Sequence, residues 1–529
     1  MKNEDIDVLV IGAGAAGAAL TWSLSEKGVK VVCLEQGGWI DPSTLPSLKP
    51  DYETQLMREG DFNLSPNLRN RKEDYPVTTA GENPPSIMMF NAVGGTTIHW
   101  QGIFPRFHPS DFKVKTLDGV ADDWPISYWD LEPYYDFNDK MIGVSGVAGD
   151  PANPPRSKRQ TPPLPLGKMG NTLVKGFEKL GWHWWVNDQG IISKQYKDRV
   201  GCMLHGKCMF GCPMGAKATT DRTYWPLALE NGAEIRTWSR VREITVDRTG
   251  KAKGAIYFDK DGNTQEIKAK VIVVCCNGIG TPRLLLNSKS SLFPDGLGNS
   301  NGLVGKNFMV HPALFINGIF EDVMDGHIGP MGSPLFSQEF YETDKNRGFD
   351  RGYMLYGERT FGPLSQTGGV PWGEEHHEAF SEIFPHQVGL SVLADDLPEE
   401  TNTVELDEEV VDSNGIAAAK ATYSLSENSK KMLNHATNKA TEVLEASGAK
   451  RVIVPPPTNM SHLMGTARMG ANEKISVVDK NNKVHSVSNL YVVDGSSFTT
   501  GAGVNPTSTI MALALRAADK IWEKRNEWK

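Results

Sequence analysis

The chain is organised most clearly at its two ends, where runs of apolar residues are broken by glycine at regular places. Residues 6–38, IDVLVIGAGAAGAALTWSLSEKGVKVVCLEQGG, open on a short apolar stretch that predicts a strand. A glycine turn follows, and then small and apolar residues that predict a helix ending at Gly28. A second strand, Val29 to Leu34, ends in Glu35. Residues 271–288, VIVVCCNGIGTPRLLLNS, predict a buried strand that turns through Asn277-Gly278 into a helix with Thr281 as N-cap and Pro282 in its first turn. The last segment, NLYVVDGSSFTTGAGVNPTSTIMALALRAADKIWEK, predicts a strand ending at Asp494, a glycine loop, and an amphipathic helix from about Pro506. Residues 40–90 and 150–166, rich in proline and polar residues, are expected to be long lid-like excursions rather than linkers between independent domains.

Composition narrows the possible functions without naming one. The chain has 529 residues, 39% of them apolar and 22% charged, which is enough for two or three interlocked domains. Its net charge of -9 is spread without a long basic run, which argues against nucleic acid or an anionic membrane surface as partner. Val8 to Leu24 is an uncharged run of 17 residues, near the lower limit for a membrane span. It is patterned with glycine, however, and its leader sets Lys2 against Glu4, Asp5 and Asp7, unlike a secretory n-region. Among the tryptophans, the run GWHWWVN (181–187) reads as core packing ahead of sugar stacking.

Gly12, Gly14 and Gly17 form G-x-G-x-x-G between a strand and a helix. Glycine there permits a tight turn, close approach of backbone to a pyrophosphate and close packing of helix on strand, while the helix N-terminus offers free N–H groups to phosphate. Glu35, 18 residues after Gly17, is placed to accept hydrogen bonds from a ribose diol. A second glycine-rich stretch, VGGTTIHWQG (93–102), follows.

These four blocks, in this order along one chain, resemble the glucose-methanol-choline (GMC) family of flavin oxidoreductases, with special likeness to the catalytic subunits of bacterial gluconate, fructose and glucose dehydrogenases. The resemblance implies an α/β fold: a discontinuous Rossmann-like FAD-binding domain (1–50, 85–110, 195–310 and 456–529) and an inserted α+β substrate part (51–84, 111–194 and 311–455) on a largely antiparallel sheet. It implies FAD as cofactor, held by Gly12, Gly14, Gly17, Glu35, Gly94, Gly95, Thr96, Thr97, His99, Asn277, Gly278, Asp494 and Thr507. In some family members a histidine in the register of His99 carries the flavin covalently.

The segment NMSHLMGTARMG (459–470) resembles the family's H-x-x-G-T-x-x-M-G block, which makes His462 the candidate base. Asn505, 11 residues after Asp494, falls where the family carries a second His or Asn. Oxidation of an alcohol needs a group of near-neutral pKa to take the hydroxyl proton, and amide N–H groups could hold the alkoxide oxygen. His311 and Gln387 are polar residues in segments that could border a cleft, with no role assigned.

Cys202, Cys208 and Cys212 stand in C-x5-C-x3-C-P. Three thiols cannot all pair as disulfides, and such spacing favours a metal. With His205 they could make a tetrahedral zinc site; alone they suit an iron-sulfur cluster. In the sugar dehydrogenase subunits that the chain resembles, this interval carries a [3Fe-4S] cluster, although here Met203 replaces an adjacent cysteine. Cys33, Cys275 and Cys276 are expected to be small buried hydrophobes.

The resemblance implies oxidation of a CH–OH group of a sugar, sugar acid or glycoside, with electrons leaving through the cluster to a cytochrome c-type acceptor rather than dioxygen. It further implies a small accessory subunit, a periplasmic location and membrane contact only through a partner. A pyranose-oxidase-like sugar oxidase and a non-catalytic flavin-fold scaffold are the alternatives.

Overall fold

In a computed structural model the described residues are 5–50, 52–53, 74–330, 332–360, 362–367 and 370–528. Much of the excursion expected over residues 40–90 therefore lies outside them. The strand Val8–Ile11 forms the centre of a five-stranded parallel sheet, in the order Leu490–Val492, Val271–Val274, Val8–Ile11, Val31–Leu34, Glu234–Arg236. The first four of these strands are buried at every position, which explains why their sequences are continuous apolar runs without alternation: a parallel sheet is covered on both faces.

The helix Ala15–Glu26 is buried along most of its length and packs against the C-terminal helix Thr507–Glu523 through Leu20, Trp22, Met511, Ala514 and Ala518. Its alanines and glycine allow that approach. A Cβ on Gly17 would fall 1.9 Å from the carbonyl oxygen of Gly12, so only glycine lets this helix lie so close to the strand it follows. Gly12 has φ +101° and a Cβ there would sit 2.4 Å from the carbonyl oxygen of Cys275.

The second large sheet has seven strands and is antiparallel throughout its recorded pairings. Its order is Arg451–Ile453, Met309–Ile319, Gln387–Ala394, Tyr353–Glu358, Leu335–Ser337, Trp185–Val186, with Thr458–Met464 also paired to Met309–Ile319. One face packs under the helices Gly167–Leu180 and Glu427–Ala446 through Leu173, Phe177, Leu390, Val392, Leu433 and Val443. The other face sends Met354, Tyr356 and Leu393 into the core that contains Leu9 and Ile11 of the parallel sheet. Both sheets thus share one apolar core. The strand that carries His462 belongs to the antiparallel sheet, whereas the loop that carries Asn505 leads into the C-terminal helix.

Three local expectations are corrected. The second strand begins at Val31, two residues after the expected start. The helix after Val274 begins at Asn277 with Cys276 as its N-cap, and Thr281 is not the cap. Buried Asp494 captures that residue: the Thr281 hydroxyl donates to Oδ2 at 2.6 Å, while Asn277 Oδ1 accepts from the N–H groups of Ile279 and Gly280 in the first turn. Cys276 is only partly buried, unlike buried Cys33 and Cys275, although Cys275 and Cys276 both border a cavity. Trp182 and Trp184 pack against the antiparallel core, as their sequence context suggests. No helix of the described residues is long and apolar enough to cross a membrane; Val8–Leu24 is a strand, a turn and part of a helix.

Candidate active site

The glycine turn, the strand end at Glu35, the second glycine loop and the C-terminal segment converge on one cavity of about 370 Å³. Gly12, Gly14 and Glu35 line it in one region, and His462, Asn505 and Thr507 in another. Nothing lies within 4 Å of a Cβ built on Gly14, the N-cap of the helix Ala15–Glu26, and no side chain caps that helix or places an acid in its first turn. Its N–H groups and the positive end of its dipole are therefore available to an anion. The Glu35 carboxylate accepts from the N–H groups of Ala13 at 2.9 Å and Gly37 at 2.8 Å, so it also holds the turn in shape.

The second glycine loop lies on the first. Gly94 N–H donates to the Ala13 carbonyl at 3.0 Å, and a Cβ on Gly95 would come within 2.9 Å of Gly14 Cα. Gly95, Thr96, Thr97 and His99 reach the cavity wall, as do Asn277 and Asp494. Gly17, Gly94 and Gly278 are not among the lining residues; they permit packing instead. A Cβ on Gly278 would strike the backbone of Leu463, next to His462, at 2.5 Å. Asp494 borders the cavity, but its oxygens are taken by Asn277 N–H, the Thr281 hydroxyl and Ser496 N–H. Burial raises its pKa.

At the catalytic end, His462 is on the strand Thr458–Met464, and its Nδ1 lies 2.6 Å from Nδ1 of His311 on the neighbouring strand Met309–Ile319. Burial, and then proximity to His311, hold the His462 pKa well below the usual histidine value. The ring is therefore neutral near pH 7 and able to accept a proton. Asn505 Oδ1 is buried with no protein partner, as are His99 Nε2 and Trp100 Nε1 on the same cavity wall. Burial lowers the His99 pKa to about 4, and its Nδ1 lies 2.7 Å from the carbonyl of Met209. His311 is the neighbour of His462 that the sequence did not assign: a histidine inside an apolar strand carries no local sign of its cross-strand partner. Gln101, also unassigned, lines the cavity and donates to Glu358 at 3.0 Å.

Cys208 lies in a small core with Leu164, Ile191 and Ile192, against which Cys202 and Cys212 pack, and all three are free thiols. Burial pushes the Cys202 pKa up to about 11. Among the described residues no group of three His, Cys, Asp or Glu side chains is arranged to hold a metal ion, and His205, needed for zinc, is exposed. The surroundings of the thiols are nevertheless cationic. Lys217 is fully buried, and its Nζ donates to the carbonyls of Ile98 at 2.8 Å, Trp100 at 2.8 Å and Cys208 at 2.6 Å. Burial lowers its pKa to about 8. Met209, inside the cysteine segment, lines the main cavity.

The sequence profile of the GMC oxidoreductase family matches residues 6–313 and 398–514. A 2-methyl-1,2-propanediol dehydrogenase of Mycolicibacterium austroafricanum is 44% identical over 534 residues, covering 98% of this chain and 95% of the relative. The fructose dehydrogenase large subunit of Gluconobacter japonicus is 28% identical, over 98% of this chain and 99% of its own. The crystal structure of pyridoxine 4-oxidase from Mesorbium loti shares the fold, with a TM-score of 0.69 at 16% identity over 98% of this chain and 99% of that one.

Proposed function

The chain belongs to the GMC oxidoreductase family, and from that membership we propose that it is a dehydrogenase of polyhydroxy alcohols, from small diols to sugars, with His462 as base. The observation that carries this reading is one cavity lined both by the glycine turn and Glu35 and by His462 and Asn505.

FAD fits the residues present. The open space at Gly14, the uncapped helix behind it and three buried polar atoms without protein partners on the same walls are what a polar dinucleotide would engage. Bound there, the flavin would supply the two-electron acceptor for the substrate's hydride. The protein does the rest. Glu35 would hold the ribose end and the N-terminus of the helix Ala15–Glu26 the phosphates. His462 takes the hydroxyl proton of the substrate, and the Asn505 amide holds the oxygen that loses it. Met88, Met89, Phe90 and Trp100 give the same cavity apolar lining. The 44% identical relative, named for a propanediol, and the fructose dehydrogenase subunit together support a hydroxylated substrate in the range from diol to sugar.

The cysteine segment is read as the ligand set of a [3Fe-4S] cluster. Three thiols share one core, and buried Lys217, bonded only to carbonyls, supplies positive charge suited to an anionic thiolate cluster. Such a centre would accept electrons one at a time and pass them to a cytochrome-type partner; the name of the fructose dehydrogenase large subunit agrees with an assembly of several chains. The test is an anaerobic visible spectrum of the purified protein with iron analysis, before and after a panel of diols and sugars. Bleaching of flavin by one of them supports the reading. A protein with flavin that no hydroxylated compound bleaches contradicts it, and peroxide formed in air would favour an oxidase instead.

A further inference from the structure

His311 meets the backbone of Ala502 and Gly501 and the ring of His462, and its closest contacts fix where protons can sit. Its Nε2 is 2.6 Å from the backbone carbonyl of Ala502, and a carbonyl only accepts, so Nε2 of His311 carries a hydrogen. Burial lowers the His311 pKa to about 4, so the ring is neutral and its Nδ1 must be bare. That bare nitrogen lies 2.6 Å from Nδ1 of His462, which must then be the donor. His462, likewise neutral, is left with its lone pair on Nε2.

We propose that His311 is a positioning residue that fixes His462 in the Nδ1–H tautomer, leaving Nε2 as the basic atom of the site; the proposal rests on His462 being the base. The two rings are held nearly edge to face, with centroids 4.9 Å apart and planes at 84°, an arrangement that hydrogen-bonded neighbours can keep while the base turns over. The chain of contacts joins three separate elements: the strand of His462, the strand of His311, and the loop 498–506 that carries Asn505.

The backbone of that loop supports the assignment. Ala502 has φ +63°, a left-handed conformation that is strained for a residue with a Cβ. The residues flanking it are glycines, Gly501 and Gly503, and the strained position is the one whose carbonyl meets His311. Strain of this kind persists where surrounding contacts over-determine it. The result is a single hydrogen-bonded line from the Asn505 loop to the base, so that the two groups proposed to meet the substrate oxygen are registered through His311.

The test uses the flavin-loaded enzyme and selective 15N labelling of the 12 histidines, with the His462 signal assigned by its loss in His462→Gln. The wild type should show His462 protonated at Nδ1 and bare at Nε2; the opposite tautomer would overturn the proposal with no variant needed. In His311→Leu, which has no acceptor, that preference should disappear. The rate of flavin reduction should fall on the order of 100-fold, with substrate Kd changed less than about threefold. In His311→Asn, whose Oδ1 can replace Nδ1 as acceptor, both the tautomer and most of the rate should return. Equal rates in wild type and His311→Leu, or no recovery with asparagine in a folded, flavin-loaded protein, would overturn it. Failure of His462 as base would appear differently, as an undiminished rate in His462→Gln itself.

Discussion

His99 Nδ1 lies 2.7 Å from the carbonyl of Met209, one residue past Cys208, so the cofactor cavity and the cysteine segment are parts of one hydrogen-bonded wall. Lys217 reinforces the join by bonding the carbonyls on either side of His99 and that of Cys208. A centre held by the thiols would be separated from the cavity by little more than this wall.

If the thiols hold the proposed cluster, Cys208→Ser should remove iron while leaving FAD bound. Anaerobic bleaching of flavin by substrate should survive nearly unchanged, and transfer to a one-electron dye should slow by at least about tenfold. Iron analysis and stopped-flow absorbance read the two separately. Equal iron in wild type and variant would dispose of the cluster.

Substitution of Lys217 by methionine, of similar length, removes a buried charge whose three hydrogen bonds all end on carbonyls. Those carbonyls lose their donor, and stability should fall by about 1–3 kcal/mol in urea unfolding. If the thiols hold an anionic cluster, iron occupancy should fall as well; a variant with full iron would show that the charge is not required there.

The glycine turn admits a sharper test. Gly17→Ala would force a Cβ to within 1.9 Å of the Gly12 carbonyl, so the helix must move off the strand. Overpacking of this kind costs roughly 1–3 kcal/mol and should displace the helix N-terminus that meets phosphate. Flavin content per protein, measured after release by heat, should drop several-fold. Gly28→Ala serves as control: its φ of +76° strains an alanine, as the helical Gly17 does not, but it has open space around its Cβ, and it should retain flavin.

Both glycines were legible in the sequence, as were the apolar strands, Glu35, His462 and Asn505, because each belongs to a short pattern whose geometry is local. What could not be read depends on contacts across the fold. Thr281 has the residue type of an N-cap, yet it bonds Asp494, 213 positions away. The three thiols were grouped from spacing, but the ammonium beside them, Lys217, reads in sequence as one more surface lysine. His311 is ordinary until the antiparallel sheet sets its strand against that of His462. In each case the missing information was the identity of the partner, which periodicity does not encode.

The pH dependence of flavin reduction follows from the same neutral imidazole. Burial depresses the His462 pKa, so the base stays deprotonated as pH falls through 6.5 and is lost only below that lowered value. An unperturbed histidine would be roughly three-quarters protonated at pH 6. The reduction rate at saturating substrate should therefore hold level from pH 8 to pH 6, with its acid limb displaced downward. A limb centred at 6.5 would show that His462 is solvated as in an open loop.

The most direct test of the whole account is the rate at which substrate reduces the flavin, anaerobically and in a single turnover, in His462→Ala loaded with FAD. Loss of a general base should slow this step by about 100-fold to 10,000-fold while the flavin spectrum before mixing is unchanged. A rate equal to the wild type, at any pH between 6 and 8, would contradict the assignment of His462 and the chemistry built on it.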